Sequence, residues 1–344
     1  MKEMQGRPAT MGAMFRSPSR LLLPLLLLAP LAAQEVDLRS TAKKGSSVWL
    51  LVEQQLSQTF EVMGQEMESA QSTKRVLHLT VDDVDDKGNM TVSVLVARVF
   101  GTISNPNMDD MEFDSTKETE APEDDPTGGM LVNMLKSLQA GAGKKFTAKA
   151  SPNGRMLELV DAKDIMKQGE DDGGLDEAQL KQMVEGAFGQ LPEKPMAKGG
   201  KWAHEDGGRN GRMPTKTVAE LTLSLVDADM FEIETSGKIE KVEPTAGEDD
   251  DNPMAAMLKS MKISNGKTTG KQKISRKDGF LIESRMEGTM EAEMSMQGMA
   301  VPMKIKNTTL TKRATEADAK PAAKEAPKKD APKAEEPKKS EGHE

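Results

Sequence analysis

The sequence contains no cysteine and no tyrosine, and only two tryptophans, eight phenylalanines and three histidines among 344 residues. Without cysteine the chain forms no disulfide, holds no zinc through thiolates and performs no thiol catalysis. An ordinary hydrophobic core must therefore hold the fold together, and the roughly 280 residues outside the two terminal segments are enough to supply one.

The three histidines do not suggest catalysis. His78 is predicted at the surface of a strand, His204 follows Trp202 in a glycine-rich stretch (GGKWAHEDGG) that is typical of a loop, and His343 lies near the C-terminus. No serine is placed beside a histidine in the manner of a Ser-His-Asp triad. The chain also lacks a phosphate-binding loop and a carboxylate pair whose spacing would separate acid from base. We expect no enzyme, no catalytic residue, no cofactor and no metal site.

One long apolar run occurs, and it lies near the N-terminus. Arg16 and Arg20 precede the sequence LLLPLLLLAPLAA, after which polar residues begin. A basic segment followed by about a dozen apolar residues is typical of a secretory signal peptide. The run is shorter than the roughly 20 residues that a membrane helix needs. Residues 1–33 are therefore predicted to be a signal peptide cleaved near Ala33, and the mature chain to be exported, periplasmic or extracellular, without a transmembrane segment.

The charge of the chain is negative. The predicted signal peptide carries +3, so its removal changes the net charge from −9 to −12. That much negative charge opposes binding to nucleic acid and to anionic membrane surfaces. No nucleic-acid partner is expected.

The stretch from residue 280 to residue 312 has the clearest pattern in the chain. Its even positions from residue 282 to residue 296 are mostly apolar or small, and most of its odd positions are charged. Period two is the signature of a strand with one buried face. A turn near residue 297 would place Met290 opposite Ile305 on the buried face and Glu291 opposite Lys304 on the exposed face. The sequence therefore predicts an antiparallel hairpin with a methionine-rich buried face.

Further elements are predicted from apolar periodicity and turn residues. The predicted strands are Val48–Val62, Thr73–Val84, Met90–Phe100, Lys145–Ala150 and Arg155–Val160. The predicted helices are Met130–Leu138, Leu175–Leu191 and Met254–Met261, and an acidic loop is predicted over residues 105–128.

The two halves of the sequence resemble each other. The sequence TKRVLHLTVDDVD at residues 73–85 aligns without a gap on TKTVAELTLSLVD at residues 215–227, and MLKS occurs at residues 134–137 and 257–260. Shared features in the same order indicate an internal duplication. The predicted organisation is a single β-rich domain over residues 34–313, built from two repeats joined by a helix (about 48–165, 200–313 and 175–191).

The predicted fold class is α+β dominated by antiparallel β, with about ten strands in a curved sheet or half-barrel made of two duplicated halves, and a few short helices. Residues 314–344 consist mainly of Ala, Lys, Glu and Pro. Such a composition buries too little apolar surface to offset the entropy of ordering, so this tail is predicted to be disordered.

Six segments between residues 40 and 313 carry a resemblance to a known family: VWLLVEQQ, TKRVLHLTVDDVDDKG, MEFDS, GKKFTAKASPNGR, LPEKPMAKGGKW and GKTTGKQKISRKDGFLIES. Together they resemble an uncharacterised family of exported bacterial proteins, a domain of unknown function. Their shared residues are turns, strand starts and a tryptophan, so the resemblance implies no catalytic or binding residue. More distantly, the duplicated sheet with short helices is similar to the half-barrels of LolA-like and LppX-like lipoprotein and lipid carriers, in which helices cover a curved sheet around an apolar cavity.

Three hypotheses of function follow. The first is a non-catalytic envelope protein that binds or carries a lipid or another apolar ligand, since flexible methionine side chains suit a surface that adapts to varied ligands. The predicted lining is Met286, Met290, Met294, Met296, Val301, Met303 and Ile305. The second is a structural or interaction module with a filled core, whose envelope partner is reached through the tail. The third is Cu(I) binding by the thioethers of Met294 and Met296, which flank Ser295.

Overall fold

The protein is described by a computed structural model. The described residues are 35–62, 64–105, 108–117, 135–166, 174–210, 213–242, 260–296 and 299–321. All of them lie in one compact unit, Gln34–Glu344. The predicted signal peptide lies outside the described residues.

The described residues form twelve β-strands and one α-helix of several turns. The strands are β1 (Ser47–Val62), β2 (Gln65–Val84), β3 (Met90–Asn105), β4 (Met108–Asp114), β5 (Lys145–Ala150), β6 (Met156–Asp161), β7 (Lys201–Asn210), β8 (Met213–Val226), β9 (Met230–Lys241), β10 (Lys262–Ser275), β11 (Leu281–Met296) and β12 (Met299–Arg313). The helix, α1, spans Glu177–Phe188, and a 3-10 helix spans Glu316–Ala319. The prediction of a fold dominated by antiparallel β is confirmed.

All twelve strands belong to one open sheet. Its order is β6-β5-β3-β2-β1-β12-β11-β10-β9-β8-β7, and β4 pairs with β3 off this path. The chain therefore makes two meanders, and the first strand pairs with the last, from Leu50 opposite Arg313 to Phe60 opposite Met303. This pairing leaves β6 and β7 at the two edges of the sheet.

One face of the sheet is buried and is called the inner face. It carries the even-numbered residues of β1 and β11 and the odd-numbered residues of β2, β9 and β12, while the outer face of β11 carries exposed charged residues. The predicted hairpin is confirmed in register, because Met290 lies opposite Ile305 and Glu291 lies opposite Lys304. The alternation of apolar and charged residues therefore specified this strand pair.

The inner face curls around α1. This helix contacts strands that lie far apart in the sheet, namely β3, β5, β6, β7 and β11. It begins at Asp176, whose carboxylate accepts a hydrogen bond from the backbone N–H of Gln179 in a capping box, and it is followed by Gly189 with φ of 76°. Phe188 is fully buried and stacks on Phe280 with ring centroids 5.3 Å apart. The predicted helix at residues 175–191 is therefore confirmed in position and is shorter at both ends.

A large apolar core fills the end of the sheet at which α1 lies. Its buried side chains come from β1, β2, β3, β5 and α1, and a smaller neighbouring cluster comes from β8, β9, β10 and β11. Ser40 joins this end from the N-terminal segment, since its N–H donates to the carbonyl of Pro152 and its hydroxyl donates to the carbonyl of Gly279. The N-terminal segment thus links the turn between β5 and β6 to the turn between β10 and β11.

Two segments differ from the predicted secondary structure. The predicted acidic loop contains β4, which is held by its pairing with β3. The glycine-rich stretch around Trp202 and His204 is the edge strand β7 and not a loop. In both cases backbone pairing with a neighbouring strand overrides weak local propensity.

Two predicted helices lie largely outside the described residues. In the first, predicted over residues 130–138, residues 135–138 are described and are helical. In the second, predicted over residues 254–261, only Ser260 and Met261 are described, and Ser260 alone is helical.

The ordered part of the chain continues beyond the predicted start of the tail. Residues 314–321 pack on the outer face, where the N–H of Ala314 donates to the carbonyl of Trp49 and Arg98 donates to the carbonyls of Asp318 and Lys320. Val76, which points to this face, is fully buried. Residues 322–344 lie outside the described residues.

Candidate ligand-binding face

The far end of the inner face carries a separate apolar cluster, called the methionine cluster. Its buried members are Met261, Met290, Ala292, Met294, Met303 and Ile305. Phe60 and Leu56 of β1 and Ile239 of β9 pack against it. It shares no residue with the two clusters at the α1 end of the sheet.

Most of the predicted lining residues meet at this end. The methionine cluster contains four of them, and Val301 is buried opposite Met294. Met286 is half-buried, and its thioether lies over Gly270, where an added Cβ would come within 2.1 Å of the sulfur. The side chain of Met296 lies outside the described part of the chain. Whether these residues line a ligand stays a prediction.

A surface depression of about 460 Å³ lies beside the methionine cluster. Its lining residues are Lys241, Ser260, Met261, Lys262, Glu293, Ser295 and Ala300. Met261 belongs to both the depression and the cluster, and it is fully buried. Glu293, Ser295 and Ala300 occupy outer-face positions of β11 and β12, so the depression opens on the outer side of this end of the sheet and meets the cluster at Met261.

Polar side chains cross the inner face between the α1 end and the methionine cluster. This polar band consists of Gln54, Gln71, Thr73, Arg75, Thr235, Thr268, Gln272, Ser284, Asn307 and Thr311, all buried or half-buried. Along β12, for example, Asn307 and Thr311 follow the apolar Met303 and Ile305. The inner face is therefore apolar at both ends and polar between them.

Arg75 stands out within the polar band. It lies on β2 between Val52 of β1 and Val99 of β3, and both neighbours belong to or pack against the apolar core. Its Nε is buried and has no hydrogen-bond partner in the part of the chain that the structure describes. Burial lowers the pKa of its guanidinium, which marks a site where the charged form is poorly solvated.

Sequence reasoning missed Arg75. The alternation that placed His78 on the outer face also assigns Arg75 to the inner face with Leu77 and Leu79. The available signal was thus a cationic residue at a position where the alternation of the strand predicts a buried apolar side chain. His78 itself is half-buried on the outer face and stacks on Trp49, with ring centroids 4.3 Å apart.

A second set of polar side chains lies where α1 crosses between the edge strands β6 and β7. Glu185 of α1 accepts a hydrogen bond from the N–H of Met156 on β6, at 3.0 Å. Burial raises the pKa of Glu185, and the negative charge of Asp206 on β7 adds to this effect. Burial lowers the pKa of His204, and the Arg155 cation lowers it further, whereas Asp206 opposes this effect. The helix therefore connects the two edges through titratable side chains.

The described part of the chain offers little for metal or membrane chemistry. Within it, no three histidine, aspartate or glutamate side chains come together as a metal site. No helix among the described residues has the length and hydrophobicity that a membrane-spanning helix requires.

Three solved structures with slight similarity come from the comparison with known folds. A lipovitellin structure, titled for lipid–protein interactions, is 12% identical over 83% of this chain and 26% of that chain, with a TM-score of 0.42. This chain thus spans about a quarter of that lipovitellin chain. A putative outer membrane lipoprotein-sorting protein domain from Vibrio parahaemolyticus is 7% identical over 79% of this chain and 89% of its own, with a TM-score of 0.15. OccK11 (OpdR) from Pseudomonas aeruginosa is 7% identical over 82% and 100%, with a TM-score of 0.17.

These likenesses are too slight to support a statement about the ligand of this chain. No curated protein matches the sequence. The family comparison agrees with the resemblance seen in the sequence: residues 172–281, which contain α1, β7, β8, β9 and β10, match the Family of unknown function (DUF6263). The similarity to this family therefore covers residues 172–281, about a third of the chain.

Proposed function

We propose that this chain is an exported, non-catalytic protein that binds a lipid or another apolar ligand on the inner face of its sheet. The observation that carries the proposal is the methionine cluster, an apolar cluster separate from the core and bordered by a polar band. A fold-stabilising core needs no polar layer through it, because buried polar groups are costly unless they are paired. A binding face for an amphipathic ligand has this arrangement.

The composition of the cluster supports the same proposal. Five of its six buried residues come from β11 and β12, and three of these five are methionines; the sixth residue, Met261, is a fourth methionine and precedes β10. Methionine is unbranched and polarizable, so its side chain fits ligands of different shape at little cost.

The proposal is tested with two substitutions at adjacent positions on opposite faces of β11. Met290 is 5% exposed on the inner face, and Thr289 is exposed on the outer face. Met290→Gln should weaken binding of a fluorescent apolar probe about tenfold, since a polar group replaces a buried thioether. Thr289→Gln should leave binding unchanged. Circular dichroism spectra of both variants should match that of the wild type, which would show that both fold.

Native mass spectrometry of the wild-type chain, purified without detergent, provides the second measurement. Bound lipid is the expected result. A ligand-free mass together with no probe binding would refute the proposal and would favour the alternative of a structural or interaction module with a filled core.

Cu(I) binding is a second candidate, because the cluster brings four thioethers together. Met294→Leu removes one sulfur at nearly constant volume. It should abolish Cu(I) affinity, measured by competition with a Cu(I) chelator, and should leave apolar probe binding intact. Retained Cu(I) affinity in this variant, or none in the wild type, would rule this candidate out.

A further inference from the structure

We propose that the ligand is an anionic amphiphile, with a carboxylate or phosphate head held at Arg75 and an acyl tail that extends along the inner face to the methionine cluster. This inference rests on the proposed function and assigns a charge, an orientation and a head-group residue to the ligand.

The first step is the state of Arg75. Its Nε is buried and has no hydrogen-bond partner among the described residues, and the residue as a whole is half-buried. A buried charge is normally paired, since an unpaired one loses the solvation that water gave it. Arginine presents a planar fork of donors that fits the two oxygens of a carboxylate or phosphate. An anionic head is therefore the complement that this side chain lacks within the described protein.

The second step is the surroundings of Arg75. Val52 and Val99 flank it in the neighbouring strands, and Thr73 lies two residues along the same strand and face. The low-polarity flank strengthens an ionic contact, because the local dielectric is lower than that of water. Hydroxyl and amide groups of the polar band lie next to it, with Thr73 and Thr311 among the buried ones. These groups supply further donors to an anionic head.

The third observation is that other polar atoms of the polar band also lack a hydrogen-bond partner among the described residues. Thr235 Oγ1 and Asn307 Oδ1 are buried without a hydrogen-bond partner. In folded proteins nearly all buried polar atoms are paired, and exceptions point to water or a ligand. Arg75 is therefore one of several inner-face groups whose pairing the described protein leaves incomplete.

The fourth step is length. Arg75 lies opposite Val52 of β1, which in turn lies opposite Thr311 of β12. Ile305 of the methionine cluster lies six residues from Thr311 in the same strand. At about 3.4 Å per residue the separation is about 20 Å. One acyl chain spans half of the roughly 30 Å hydrocarbon layer of a bilayer, about 15 Å. The separation exceeds this tail length by about 5 Å, a distance that the Arg75 side chain and the head group would span over the polar band.

The proposal is tested with two probes that share one acyl chain, a fluorescent fatty acid and its uncharged alcohol. Arg75→Gln should weaken fatty-acid binding about tenfold to a hundredfold, the range for one charge-assisted hydrogen-bond pair, and should leave alcohol binding unchanged. Arg75→Lys should restore part of the affinity. Lys74→Gln is the matched control, since it removes the same charge from the outer face of the same strand.

Stability measurements separate this role from a structural one. Since Arg75 has no partner among the described residues, Arg75→Gln should leave the urea midpoint of the free protein unchanged or raise it; a lower midpoint would assign Arg75 to the fold and overturn the proposal. Equal binding of both probes by wild type and Arg75→Gln would also overturn it while leaving the proposed function intact. Binding of neither probe would reject both. Displacement of the fatty acid by inorganic phosphate at equal concentration would assign a site for free anions, not for an amphiphile.

Discussion

The Arg98–Asp114 pair should make the stability of the chain depend on one carboxylate. Arg98 Nη2 lies 2.6 Å from Asp114 Oδ2, and the two side chains are 9% and 11% exposed. Burial, the largest single influence, acts to raise the pKa of Asp114, but the hydrogen bonds from Arg98 and Thr116 outweigh it and lower the pKa from 3.8 to about 2. A shift of this size corresponds to about 2.4 kcal/mol of folding free energy at neutral pH.

The sign follows from the direction of the shift. Because the pKa of Asp114 is lower in the folded chain than in the unfolded chain, the contribution is complete above pH 3.8 and is lost as the pH falls through about 2. It should decrease to about 1.3 kcal/mol at pH 3. Asp114→Asn removes this pH-dependent part. It also leaves Arg98 as a buried cation without a counter-charge, a cost that does not change over this pH range.

The measurement is urea unfolding of wild type and Asp114→Asn at pH 6 and pH 3. The difference between their free energies of unfolding should shrink by about 1.1 kcal/mol between the two pH values. Asp37→Asn is the control, because Asp37 pairs with Arg39 at an exposed site and such pairs contribute about 0–1 kcal/mol. A difference that stays constant from pH 6 to pH 3 would show that the buried pair does not form, and the reasoning would fail.

Three further predictions concern the inner face. Phe188→Ala should lower the free energy of unfolding by about 3–5 kcal/mol, because Phe188 is fully buried against Phe280; a loss below 1 kcal/mol in urea would contradict this packing. Gly270→Ala should cost about 1–3 kcal/mol through its clash with the Met286 sulfur, and Met286→Ala in the same chain should recover part of that loss in a double-mutant cycle. His204→Gln should weaken the dependence of stability on pH below pH 6.5. The pKa of His204 is lowered in the folded chain, so the wild type loses stability as the pH falls through 6.5. An equal decrease in the melting temperatures of wild type and variant between pH 7 and pH 5 would refute this.

The sequence predicted strand pairing correctly where a strand carries its own alternation of apolar and charged residues. In β11 and β12, alternation and opposite charges define the face and the register together, so the pairing of Met290 with Ile305 was predictable. The position of the methionine cluster followed from the same pattern. Helix α1 was predictable because its apolar spacing and its capping residues agree.

Elements that form only through pairing with another strand were not predictable from local patterns. Strand β7 contains Gly207 and Gly208 and forms as an edge strand through its pairing with β8. The polar band was also missed, since it arises only when β1 pairs with β12 from the opposite end of the chain and brings Arg75 and Thr311 onto one face. No local pattern encodes that pairing, and the internal duplication stays a prediction.

The pairing of β1 with β12 has a consequence for the order in which the protein is made. The first strand is synthesised long before its partner, so until β12 is available one edge of β1 has no neighbour. An unpaired strand edge is a site of aggregation, and contacts between distant segments form slowly. A nascent chain should therefore need a chaperone to shield β1, and a premature stop codon immediately before Met299 should yield insoluble protein even though nearly all of the core residues are present.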